Sequence, residues 1–179
     1  RSDNTCDMLD LKPATVLAAA RKNQLMSVGL NRYVPFSTVG QMGATPYLFR
    51  SGFNAGIAFA EDVRPRNYPR DLLKQGVAEG KRIRKYFLGD FYPLVDAGAD
   101  PRGWMVMQYH RARENDGMVM AFRRDQSAYV ACEGRLREIH PTKNYEVTIY
   151  HTYHPEKSVT LASRNSAAPG CPVPADQPA

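Results

Sequence analysis

Cysteine is scarce in this chain: Cys6, Cys132 and Cys171 are the three present, far apart and with no CxxC pair. An odd, scattered set makes neither a disulfide framework nor a zinc site. His110, His140, His151 and His154 lack metal-ligand spacing, and the default role of His151 and His154 is as surface or cross-strand residues. A Gly-rich phosphate loop and a nucleophile elbow are both missing, so neither nucleotide chemistry nor serine hydrolysis is signalled. No apolar run approaches the ~20 residues that cross a bilayer, and no membrane partner is expected. The start shows no basic n-region or apolar h-region, which leaves the compartment open, cytoplasmic or secreted. No metal and no cofactor is implied.

What is present describes a globular chain. At 179 residues it can hold one medium domain or two small ones. A hydrophobic fraction of 43% argues against disorder over most of the length. The net charge of +6 and pI near 9.3 raise the question of nucleic acid. The cations, however, fall in small groups between apolar positions: Arg64/Arg66/Arg70, Lys81/Arg82/Arg84/Lys85, Arg111/Arg113 and Arg123/Arg124. Solvated faces look like this, and no nucleic-acid partner is expected.

Along the chain, Pro13 suits a first helical turn, and the Ala- and Leu-rich run after it predicts a helix to about Leu25. Ser27–Leu30 and Tyr33–Phe36 read as one buried strand and a loop leaving it. Ser37–Pro46 is a loop, and Tyr47–Asn54 a short helix or irregular segment. Gly56–Ala60 is apolar throughout, the profile of a strand covered on both faces in a parallel sheet. Leu72, Leu73, Gly76, Val77, Gly80, Ile83 and Phe87 then share one face at helical period, predicting a helix over Arg70–Leu88 capped by Gly89. From there the period changes. Trp104–His110 and Met118–Arg123 alternate as strands about an Asn115-Asp116-Gly117 hairpin signal, and Ala128–Cys132, Tyr145–Tyr153 and Ser158–Ala162 read as further strands. The Ala/Pro/Ser-rich residues 164–179 are expected to be a disordered tail.

The order therefore runs from β/α alternation to strands only, with a boundary near Tyr92–Asp100. Two β/α units leave sheet edges and helix faces uncovered, whereas a closed (β/α)8 barrel takes about 250 residues. The polar opening Arg1-Ser2-Asp3-Asn4-Thr5-Cys6-Asp7 fits a strand-to-helix loop of a larger protein, cut just upstream. In β/α barrels such loops carry the catalytic side chains, which makes Asp3 a candidate general acid/base and Asp7 the second choice. Capping of the following helix is the alternative role for either.

Ser2-Asp3-Asn4-Thr5, with Asp7 beyond, resembles the W-T-S-D-N-T-D stretch of glycoside hydrolase family 36, the α-galactosidase or melibiase family. Arg1 stands where that stretch has Thr. Asn31-Arg32-Tyr33, Pro46–Ser51 and the Leu88-Gly89-Asp90-Phe91-Tyr92-Pro93-Leu94 exit are similar to the last barrel units of such proteins, and Trp104–Arg124 to the start of their C-terminal β-sandwich. The resemblance covers most of the chain to about Leu161. It implies an α/β plus all-β fold: residues 1–95 as the C-terminal portion of a (β/α)8 barrel, and 96–163 as an antiparallel β-sandwich, whole or in part. It implies glycoside hydrolysis with retention, Asp3 as acid/base, and Arg1, Asn4 and Asp7 as substrate-binding residues. The family's K-W-D nucleophile motif does not occur between Arg1 and Ala179. The expected partners are thus a carbohydrate substrate and the missing N-terminal part of the barrel, with self-association into a homo-oligomer left open.

Other residues have structural roles as their first expectation. Ser37, Thr38, Gly40 and Gln41 could line a sugar site or simply form a loop. Arg50 could reach the cleft or make a salt bridge, and Trp104 is expected in a core or interface. The competing hypothesis is a non-catalytic carbohydrate-binding or structural module in which Asp3 is only a cap.

Overall fold

A computed structural model of the chain describes residues 13–34, 37–59, 62–155 and 157–162. The proposed tail 164–179 lies outside them. Among the described residues the α-helices and strands follow in the order α1 (Pro13–Asn31), β1 (Gly40–Gln41), α2 (Pro46–Ser51), β2 (Ala58–Phe59), α3 (Arg70–Ile83), β3 (Asp90–Asp96), β4 (Trp104–Arg111), β5 (Asp116–Arg123), β6 (Asn144–Ile149) and β7 (Lys157–Ala162). The fold is mixed. A β/α-alternating first part precedes an antiparallel three-stranded sheet in the order β3–β4–β5 and a separate β6–β7 hairpin.

α1 runs six residues past the expected end, so Ser27–Leu30 is helical rather than a buried strand. The reason lies in its buried face. Ala20, Asn23, Gln24, Ser27 and Val28 recur at helical spacing and are buried, while Leu25 and Met26 are left exposed. The helix thus turns polar side chains inward, and a reading based on apolar spacing stops too early. Each buried polar group on this face has a partner. Asn23 Nδ2 donates to the Gly40 carbonyl at 2.6 Å, and Gln24 Nε2 donates to the Ser51 and Tyr47 hydroxyls at 3.0 and 3.2 Å.

β1 and β2 pair in parallel, Gly40 with Ala58 and Gln41 with Phe59, with α2 between them in sequence. The parallel pairing expected for the apolar 56–60 stretch is present, but the strand is only Ala58–Phe59 and it is not covered on both faces, since Phe59 is half exposed. α2 starts at the Thr45 cap, whose side chain accepts from the Leu48 N–H, with Pro46 in the first turn. α3 begins at Arg70 as its period predicts; its last turn tightens into a 3₁₀ helix over Arg84–Leu88 that stops at Gly89. A Cβ at Gly89 would stand 2.3 Å from the His110 carbonyl oxygen, so only glycine lets this exit pass beside β4.

β3 is the strand the sequence conceals. Pro93 and a register shift between Pro93 and Val95 break its alternation, but it pairs with β4 from Asp90↔His110 to Asp96↔Met105. The β4–β5 connection spans residues 112–115, with Asn115 at φ 50°, and Asp116 and Gly117 already belong to β5. Arg111 closes this hairpin with a two-pronged bond to Asp116 at 2.8 and 2.6 Å. Ala128–Cys132 is not a strand, because no neighbour pairs with it and Tyr129 and Val130 remain exposed. One sheet face, with Met105, Met107, Tyr109, Met120 and Phe122, packs against Phe49 and Phe53 of the helical part to form the core.

Candidate functional site

Arg1, Asn4 and Asp7, and the acid/base candidate Asp3, lie outside the described residues. The secondary candidates are within them, and most are occupied in holding the fold. Ser37 and Gln41 are buried; Gln41 Nε2 donates to the carbonyls of Gly43 and Leu48. Thr38 packs beside Gly56. Trp104 is buried and donates its indole N–H to the Tyr129 carbonyl, a core position as expected.

Arg50 takes the salt-bridge role. Its Nε and Nη2 each lie 2.9 Å from a Glu79 carboxylate oxygen. Its Nη1 donates to the Tyr150 and His151 carbonyls, and Nη2 to the Thr152 carbonyl. The guanidinium thus ties the segment after β6 onto α2 and α3. Tyr153 adds a bond from its hydroxyl to the Ala44 carbonyl.

A second buried cation, Arg124, has no carboxylate among its hydrogen-bond partners. Its Nη1 donates to the Gly98 and Asp100 carbonyls at 2.7 and 2.6 Å, and burial pushes its pKa down. Among the described residues no group of three His, Cys, Asp or Glu side chains could hold a metal ion, and no helix is long and apolar enough to cross a membrane. Burial raises the pKa of the Cys132 thiol, which lowers its nucleophilic fraction.

The arrangement with most chemical potential lies at the C-terminal end of α1. Asn31 Nδ2 donates to the Tyr109 hydroxyl at 2.7 Å and to Asn54 Oδ1 at 3.0 Å. The Ser37 hydroxyl sits 2.5 Å from Asn31 Oδ1 and 2.9 Å from Asn54 Oδ1, and Asn54 Nδ2 donates to the Ser27 hydroxyl at 2.8 Å. This chain joins α1, the loop before β1, the loop after α2, and β4. Each amide orientation is fixed by its neighbours, so the network is pre-organised. Burial raises the pKa of Tyr109, which keeps its phenol protonated and able to donate.

The network ends at a cavity of about 270 Å³ lined by Asn31, Arg32, Tyr33, Asp90, Phe91 and Tyr109. Tyr33 is 84% exposed, and its ring stands at the rim without a core role. Arg32 is paired with Asp96 at 2.7 Å. Asn31-Arg32-Tyr33 and the Gly89–Phe91 exit are far apart in sequence; β4's pairing with β3, the Asn31–Tyr109 bond and the Arg32–Asp96 ion pair bring them together. Nothing in the local pattern of either segment signals that meeting, since Tyr33–Phe36 reads as a short apolar piece of strand or loop.

A larger cavity, about 510 Å³, lies beside Val95, Arg102, Trp104, Tyr129 and Cys132. Its charged side chains, Asp100 and Arg102, bond to each other, and Arg102 holds the Asp100 carboxyl below the usual range. That carboxyl is therefore ill suited to general-acid work. No protein-family model, curated protein or solved structure matches the chain.

Proposed function

We propose that the chain is the C-terminal part of a melibiase-like retaining glycoside hydrolase acting on terminal α-galactosides or related glycosides. The observation that carries the reading is the Ser2-Asp3-Asn4-Thr5 stretch with Asp7, set directly ahead of α1. The β1–α2–β2 unit supports it, since a parallel strand pair joined through a helix is the repeat of a β/α barrel, and α1 and α3 extend the alternation on either side. In this reading residues 1–95 complete the barrel and 96–163 are β-sandwich bracing it, with β3 (Asp90–Asp96) already paired into the antiparallel sheet.

Asp3 is then the acid/base. Protonated at first, it gives its proton to the glycosidic oxygen as the nucleophilic carboxylate attacks the anomeric carbon. As carboxylate, it next removes a proton from the water that releases the sugar. The two carboxyls stand about 5 Å apart in retaining enzymes. The nucleophile comes from a K-W-D strand upstream of Arg1, and Arg1, Asn4 and Asp7 hold sugar hydroxyls. The other reading, a carbohydrate-binding module with Asp3 as a helix cap, is favoured by one observation: the polar cavity beside Tyr33 needs no contribution from Asp3.

The test is hydrolysis of a nitrophenyl α-galactoside by the reading frame extended upstream to include the K-W-D strand. The extended protein turns over with retention. Asp3→Asn lowers kcat by between about a hundredfold and ten-thousandfold, and the 179-residue chain alone is inactive. Turnover by the short chain alone would sink the divided site. An extended protein that binds sugar but hydrolyses none would leave the module.

A further inference from the structure

The cavity at the end of α1 has the chemistry of a small-saccharide subsite, and we propose that it binds a single neutral sugar residue. The inference rests on the carbohydrate reading above, but it concerns different residues. The stretch holding Asp3 precedes the N-terminal end of α1, whereas the cavity is built at the C-terminal end of this 19-residue helix.

Three observations converge on a neutral polyol. The first is Tyr33, whose 84% exposed ring offers a face for the C–H side of a pyranose. Nothing in the core explains an aromatic there.

The second is a set of hydrogen-bonding groups with capacity left. Tyr109 accepts from Asn31 Nδ2, and its own hydroxyl proton has no acceptor among the described residues. The Asp90 carboxylate has no hydrogen-bond or ion-pair partner among them either, and it lines the same cavity. One donor and one strong acceptor around one space suit vicinal hydroxyls, each of which both donates and accepts.

The third is charge. Arg32 is neutralised by Asp96 at 2.7 Å, which leaves the Asp90 charge dominant. A phosphate or carboxylate ligand meets that charge unfavourably. A quaternary alkylammonium would suit Asp90 and the rings but offers no acceptor for the Tyr109 hydroxyl proton. A neutral sugar suits both, accepting from Tyr109 and donating to Asp90. The volume of about 270 Å³ lies just below the usual range for ligand pockets, about 300–1,000 Å³, and holds one ring rather than a chain.

The experiment is a titration of the 179-residue chain with methyl α-D-galactopyranoside, followed by amide chemical shifts, with choline chloride and inorganic phosphate as parallel probes. Saturable shifts with millimolar affinity are expected at Asn31–Tyr33 and Asp90–Phe91. Tyr33→Ala and Asp90→Asn, both exposed and tolerable to the fold, each weaken binding about tenfold. An affinity that both variants leave unchanged overturns the assignment, as does absence of saturation or a preference for choline or phosphate. Its failure is separable from that of the glycosidase reading. Hydrolysis by the extended protein can hold with no sugar bound here, and binding here can hold with no hydrolysis.

Discussion

Arg50 shows how much one buried side chain can organise. Its side chain is 12% exposed and that of Glu79 5%, so the pair sits where an unpaired charge is costly. Arg50→Ala leaves the Glu79 carboxylate, among the described residues, with the longer contact to Arg82 at 3.4 Å, and removes the guanidinium's bonds to three carbonyls after β6. The expected destabilisation in urea unfolding is about 3–5 kcal/mol, with amide exchange accelerating first at residues 150–153. Arg50→Lys should recover little, since an ammonium cannot make the two-pronged bond. Tyrosine burial gives a second prediction at this scale. Burial raises the pKa values of Tyr47 and Tyr109 above the ordinary phenol range. Folding therefore favours the protonated phenols, and their contribution is intact below pH 10 and lost as pH climbs toward the raised values. The urea midpoint should hold from about pH 8 to about pH 10 and fall above it. In Tyr109→Phe, compared with its own neutral-pH value, the fall is shallower.

At the scale of elements, two glycines test whether helix packing or helix propensity decides. Gly29, in the last turns of α1, has nothing within 4 Å of an added Cβ. Gly29→Ala should stabilise by about 0.5–1 kcal/mol, through the unfolded chain's lost freedom. Gly76 in α3 is the opposite case. Its Cβ would stand 2.9 Å from both Phe49 Cδ1 and the Tyr153 hydroxyl, and Phe49 is fully buried. Gly76→Ala should destabilise by about 1–3 kcal/mol despite better propensity, measured by thermal unfolding of both variants side by side. The same contrast explains what the sequence made legible. α3 and β5 follow simple periods, because each sets one apolar face against the core, whereas β4 is buried on both faces from Trp104 to His110 and is read from its apolar run. α1 buries Asn23, Gln24 and Ser27, so its pattern fades where the helix continues. β3 carries Pro93 and a register shift, and a two-residue repeat cannot be followed through them. Gly117, which looks like a turn residue, serves close approach instead: its Cβ would lie 2.6 Å from the Tyr109 carbonyl oxygen. For the candidate site, Asp3 rests on a tetrapeptide and lies outside the described residues, and the cavity near Tyr33 takes shape only once β3 pairs with β4.

For the molecule as a whole, the parallel pair β1–β2 is the smallest sheet among the described residues. Each strand contributes two residues, and parallel sheets are ordinarily larger and covered on both faces. The two strands are not equally covered. Val39, Gly40 and Gln41 are buried, whereas Phe59 on β2 is 52% exposed despite its contact with the Phe49 ring. If the chain completes a barrel, another strand docks along β2 and covers that ring. Two measurements follow. In the 179-residue chain, amides of Ala58 and Phe59 should exchange much faster than those of β4, which is hydrogen-bonded on both sides in the order β3–β4–β5. In the protein extended upstream, protection at Ala58 and Phe59 should rise at least about tenfold, a difference in opening free energy of roughly 1.4 kcal/mol. The second measurement is a substitution. Phe59→Ser should change the stability of the short chain by less than about 1 kcal/mol, and that of the extended protein by about 3 kcal/mol or more, as for a buried aromatic. Equal effects in both proteins would mean that no strand covers β2, and the barrel reading would then lose its structural support even if sugar binding persisted.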